Sequence, residues 1–140
     1  MTEIIDWEIC KQEFIKERTP DLNQIASIKE TANNREQLIE TIEINDKNAS
    51  FIVEGYYEVI KKLLTALLLK NGFRSKNHQC LISYLYKKFP EYEAEAYLVG
   101  ELCFLRNRLD YYGEKIKLDY YLKNKTNIIN TIAILRKILG

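Results

Sequence analysis

Apolar positions recur at helical spacing along nearly the whole chain. "DWEICKQEFIKERTP" reads as a short amphipathic helix that stops before Pro20, because the residue preceding a proline resists the α region. Asp21 is placed to cap a second helix running to about Ile44, with Leu22, Ile25, Ile28, Ala32, Ile39 and Ile42 at helical spacing. The polar cluster "NDKN" marks a turn, and Asp46 or Ser50 supplies the next cap. From Phe51 to Lys70 the chain reads "FIVEGYYEVIKKLLTALLLK", whose second half is apolar almost all round, as the central helix of a bundle must be. Asn71-Gly72 ends it, since glycine takes the left-handed conformation without a Cβ clash. "KNHQCLISYLYKKF" is a shorter helix halted before Pro90. Residues 91–112 form another that ends at Gly113, and "LDYYLKNKTNIINTIAILRKIL" is the last. Period-two alternation appears nowhere over a useful length. The pattern predicts an all-α fold: an up-and-down helical bundle of four to five core helices plus a short N-terminal helix. Residues 1–20 form the N-terminal helical extension, and residues 21–140 the bundle.

The helix over 91–112 has two apolar faces. At about 100° per residue, Ala94, Leu98, Leu102, Leu105, Leu109 and Tyr112 fall on one stripe, the predicted core face. Tyr97, Phe104 and Tyr111 recur every seven residues on nearly the opposite side, with Gly100 beside them. Two faces need two partners. The second is either a dimer interface built on Tyr97, Gly100, Phe104 and Tyr111, or a contact within a bundle that surrounds this helix. Arg106 lies at the edge of the core stripe, with Asp110 one turn on at ion-pair spacing. Tyr111 lies about 140° around from Arg106, so an ideal helix keeps them apart.

Composition agrees with the periodicity. In 140 residues there are only 5 glycines and 2 prolines, too few for a loop-rich or disordered chain. Cys10, Cys80 and Cys103 are far apart in sequence and form no CxxC pair, and there is one histidine, so a Cys/His zinc site is disfavoured and no metal is expected. An odd number of cysteines points to free thiols in a reducing compartment. The acidic start "MTEIIDWEICKQEF" lacks the apolar core of a signal peptide, and no apolar run approaches the ~20 residues of a membrane span. The expectation is a cytoplasmic protein without a membrane partner.

Net charge is +1, but it is unevenly placed. Residues 1–58 carry 6 basic against 13 acidic side chains, residues 59–88 carry 7 basic and no acidic, residues 89–114 carry 2 against 6, and residues 115–140 carry 6 against 1. Were the two basic segments neighbours in space, they would form a face suited to phosphate, with Lys61, Lys62, Lys70, Arg74, Lys76 and Arg108 as candidate contacts. The alternative is a solvated surface with compensating patches, Lys61 and Lys62 snorkelling from an apolar helix. The glycines are isolated, so no Gly-rich phosphate loop exists and no cofactor is expected.

The order "FIVEGYYEVIKKLLTALLLKNGF", "NHQCLISYL", "LRNRLDYYG" resembles the HEPN superfamily (higher eukaryotes and prokaryotes nucleotide-binding) over roughly residues 22–138. The resemblance implies a helical bundle, commonly a homodimer with an arginine motif at its interface, and places His78 near the start of the short helix. Many members are metal-independent endoribonucleases, in which an arginine stabilises phosphate charge and a histidine four to six residues later assists the 2′-hydroxyl. By position, Arg106 and Asn107 match the start of that motif, and Tyr111 or Tyr112 occupies the place of the histidine. Tyrosine, with an ordinary pKa near ~10, is a poor acid or base at neutral pH. The resemblance thus implies either a module binding RNA, nucleotide or a protein partner, or a weak ribonuclease using Arg106. It also implies a possible toxin–antitoxin pairing with a nucleotidyltransferase.

Overall fold

The computed structural model describes residues 3–140, a mostly α-helical bundle with six helices among the described residues. They are α1 (Trp7–Glu13), α2 (Leu22–Glu40), α3 (Ala49–Lys70), α4 (His78–Lys88), α5 (Glu93–Tyr112) and α6 (Leu118–Leu139). None is long and apolar enough to cross a membrane. Two short strands, β1 (Ile15–Glu17) and β2 (Phe73–Ser75), pair antiparallel. Each is only three residues long, too short for alternation to register in the sequence.

α3 is the hub, as its apolar sequence predicts. α2, α4, α5, α6 and β2 all pack on it, and Ile60, Leu63, Leu64 and Leu68 are buried at its centre. α2 presents Ile25, Ala32, Glu36 and Ile39 to it. Where the two helices cross, a Cβ on Gly55 would lie 2.8 Å from Ile39 Cδ1, so glycine lets the backbones close up. α2 ends at Glu40 rather than near Ile44, leaving Ile42 beyond it and exposed, and Leu22, its first residue, is exposed as well. The cap before α3 is Asn48, with no side-chain bond to the helix; Asn48 instead accepts from the Asn45 amide at 2.8 Å.

Polar groups tie the helices together where apolar contact runs out. Ser50 Oγ accepts from the Ile116 amide at 2.8 Å and donates back to its carbonyl at 3.3 Å, fixing the α5–α6 connection to the start of α3. Arg136 of α6 pairs with the buried Glu36 and donates to Asn33 on α2. α5 ends at Gly113, whose φ of +64° is the left-handed region, and the Glu114 amide reaches back to the Arg108 carbonyl.

Among the described residues up to 20, the chain is helical over Trp7–Glu13 alone. The chain then turns into β1, and Trp7 and Cys10 lie inside the same core as the bundle. Trp7 meets Phe73 and Tyr84 edge-on. Cys10 and Cys80 form a disulfide, their Cα atoms 5.7 Å apart and both side chains inaccessible. The expectation of free thiols is therefore corrected for Cys10 and Cys80, whereas Cys103 is free, and it is buried. Their separation along the chain said nothing of their separation in space, which α1 closes by docking on α4.

Candidate functional site

α5 faces the bundle differently from the sequence expectation. Its buried stripe is Ala96, Val99, Gly100, Leu102 and Cys103, turned roughly 130° from the predicted one. Small side chains make this face, letting α5 sit close to α3 and α4, whereas the bulkier Leu98, Leu105 and Leu109 are only half-buried. Ala94 and Tyr112, predicted in the core, are exposed, Tyr112 by 73%. Gly100 belongs to the buried side and not to the aromatic stripe. Tyr97, Phe104 and Tyr111 do stand exposed together, Tyr111 by 77%.

The rotation carries Arg106 and Asp110 onto the side facing α3. Arg106 lies 3.1 Å from Asp110 and 3.6 Å from Glu58, which in turn holds Lys61 at 3.0 Å. Its Nε is buried and approaches Asp110 without hydrogen-bond alignment. The Tyr57 ring lies 6.0 Å from the guanidinium. One turn before Glu58 is Glu54, whose carboxyl is pushed upward by burial, then by its hydrogen bond and proximity to Asp110, with Arg106 opposing. Three carboxylates thus crowd one guanidinium. A phosphate could reach Arg106 only by displacing a carboxylate already paired with it.

The other predicted residues divide sharply. Asn107 makes a long contact, 3.9 Å, to Cys103 Sγ. Arg108 pairs with Glu114 at 2.6 Å and lies over the Phe104 and Tyr112 rings. Neither Tyr111 nor Tyr112 is brought to Arg106. Lys70 donates to the Leu139 carbonyl at 2.7 Å, closing the C-terminus of α6, and Lys62 is half-buried.

Arg74 and Lys76 have a different setting. Arg74 stands directly opposite Lys16 in the β1–β2 pairing, and the Lys76 amide continues the ladder to the Phe14 carbonyl. Alternation along the ribbon puts Phe73 and Ile15 against the core and Lys16, Arg74 and Lys76 outside. Like charges directly across a strand pair destabilise it. Here the Lys76 ammonium is held below its ordinary value, first by its contact with Lys16 and then by Arg74. None of the three joins an ion pair with an acid among the described residues. Lys16 was missed in sequence because it lies in the acidic first segment, far from the basic run it joins.

Behind this ribbon is a pocket of about 250 Å³ between α2, α3 and the start of α4, which Arg74, Ser75, Thr65, Gln24 and His78 help to line. His78 is held below its ordinary value by burial first, then by Lys61 and Arg106, with Glu58 opposing. Its neutral form is thereby favoured. The field of Arg106 reaches a histidine that the sequence places on another helix. The signal available was the i, i+4, i+7 run of Glu54, Glu58 and Lys61 along α3, which links the two. A second, more open groove of about 460 Å³ lies between α5 and α6, bordered by Tyr97, Phe104, Leu105 and Tyr120. No group of three or more His, Cys, Asp or Glu side chains among the described residues could hold a metal ion.

The fold and these two surfaces define a helical bundle with an outward-facing cation cluster. No protein-family description matches the chain, and neither the curated proteins nor the solved structures supply a match.

Proposed function

We propose that this protein is a HEPN-like dimeric module that binds the phosphate backbone of single-stranded RNA. The observation that carries the reading is the cluster of Lys16, Arg74 and Lys76, three cations held together on a ribbon and none of them in an ion pair among the described residues. An isolated fold is better off without such a cluster, and a polyanion supplies the missing charge. The exposed stripe of Tyr97, Phe104 and Tyr111 supports self-association, since it leaves aromatic area uncovered in one copy.

Fluorescence anisotropy with labelled single-stranded RNA over a salt series tests the binding. Three phosphate contacts on a single strand give a slope of log K on log salt of about −2. The triple variant Lys16→Ala, Arg74→Ala, Lys76→Ala is expected to lose most of it. Absence of salt-dependent binding by the intact protein overturns the reading. Light scattering of Phe104→Glu tests the dimer: a folded monomer is expected from a wild type that is dimeric.

A second reading, metal-independent RNA cleavage, draws on the neutral His78 in the field of Arg106. A neutral imidazole can accept the 2′-hydroxyl proton, provided that Arg106 exchanges Glu58 or Asp110 for phosphate. RNA incubated with the protein in EDTA decides it. Cleavage lost in both His78→Ala and Arg106→Ala supports an enzyme, and intact RNA at high protein concentration excludes one.

A further inference from the structure

We infer that the pocket behind the β1–β2 ribbon receives one unstacked base of a strand whose phosphates lie on Lys16, Arg74 and Lys76. The inference rests on the RNA-binding reading above and deepens it by naming what is read beside the backbone.

Three observations lead there. The first is position. Arg74 belongs to both features: its side chain stands in the outer cluster opposite Lys16, and it also borders the pocket. A nucleotide whose phosphate sits on the cluster has its base at the pocket mouth.

The second is size. At about 250 Å³ the pocket is smaller than the ~300–1,000 Å³ typical of sites for larger ligands. It has room for a single base but none for a pair, so it selects an unpaired strand.

The third is the chemistry of its walls. The floor is apolar, formed by Leu68, Leu69 and Phe73. Of the polar groups at the rim, Thr65 already donates to the Lys61 carbonyl at 2.8 Å, and Ser75 is engaged with Asn77. The side-chain carboxamide of Gln24 and the imidazole of His78, both on exposed residues, make no hydrogen bond with another side chain or backbone group among the described residues and are free to bond a ligand. Glutamine offers a donor and an acceptor, and a neutral histidine offers one of each. Together they match the mixed donor–acceptor edge of a base, while Arg74, the one cation among the lining residues, stands where the phosphate of the same nucleotide would lie.

The test compares two probes of equal length: a short oligoadenylate and the corresponding abasic ribose-phosphate oligomer. A base held in such a site contributes ~1–3 kcal/mol, or roughly 5- to 150-fold in affinity. The intact protein is expected to bind the oligoadenylate at least fivefold tighter than the abasic strand. Gln24→Trp, which fills the mouth from the exposed face of α2, should bring the two affinities together by weakening only the base-bearing strand. His78→Ala, which removes one edge contact and leaves the floor intact, should narrow the gap by itself. Circular dichroism confirms that both variants keep the wild-type helical signal. Equal affinity of the intact protein for the two probes overturns the pocket inference and leaves backbone binding standing. Failure of the intact protein to bind either probe at low salt overturns the RNA-binding reading itself.

Discussion

Replacing both bridged cysteines, Cys10→Ala with Cys80→Ala, removes one covalent link and leaves no unpaired thiol behind. The bridge closes a loop with a sequence separation of 70. In the chain-entropy account, the unfolded state then gains about 4 kcal/mol of conformational freedom on losing the bridge. Little in the native contacts should change, because Trp7 still packs on Phe73 and Tyr84 and β1 still pairs with β2. For a domain of this length, unfolding entropy near 60 °C is about 0.3 kcal/mol per degree, so the midpoint should fall by about 14 °C. Thermal melts followed by far-UV circular dichroism measure it, run with and without a dithiol reductant. The oxidised wild type should melt highest, and reduction should bring it close to the double variant. The variant itself should ignore the reductant, and Cys103→Ala should keep the full reductant response. A wild-type midpoint that the reductant moves by less than about 2 °C, or a double variant that melts with the oxidised wild type, refutes the reasoning, since a cross-link of this span cannot then be present.

Other expectations follow from single contacts. Ser50→Ala strands the buried Ile116 amide and should cost about 1–3 kcal/mol in urea unfolding, with the m-value unchanged. Leu102→Ala opens a cavity at a fully buried position of α5 and should cost about 2–5 kcal/mol in the same assay. His78 is held below its ordinary value in the folded chain, so the unfolded state takes up its proton first as the solution is acidified. Its contribution is therefore intact above the ordinary histidine value and falls as pH drops through the lowered folded value. His78→Gln should flatten that part of the stability profile between neutral and mildly acidic pH, measured by denaturant unfolding at a series of pH values. A steeper profile in the variant would show the sign to be reversed.

Most of the architecture could be read from the chain. The α3 sequence announces its central place, Asp21 caps α2 as expected, accepting from the Asn23 and Gln24 amides, and the stops at Gly72 and Gly113 fall where positive φ is needed. α6 occupies the stretch its pattern marks. Three things were hidden for distinct physical reasons. The sequence points to the wrong face of α5 because bulk suggests burial, whereas close packing is made there by Ala96, Gly100 and Cys103 beside Val99 and Leu102. The ribbon was invisible because each strand depends on a partner more than fifty residues away for its hydrogen bonds, and neither is long enough to carry a period. The site was half legible. Arg74, Lys76 and Arg106 could be singled out by charge and position, but only the folded chain distinguishes the crowded Arg106 from Arg74, which joins no ion pair among the described residues. Lys16 and Gln24 enter through tertiary placement alone.

The bridge between Cys10 and Cys80 makes the intervening chain a closed ring that contains β1, α2, α3 and β2. A protease that cuts the exposed turn between α2 and α3, near Glu43 to Lys47, opens the backbone without releasing a fragment. The nicked protein should migrate as one species until a reductant is added, and then as two. A cut in the exposed segment 113–115, outside the ring, severs α6 covalently at once and leaves it attached by packing alone. Where the chain is broken therefore decides whether it can come apart, and the N-terminal segment, through one bond, governs the fate of two helices that follow it.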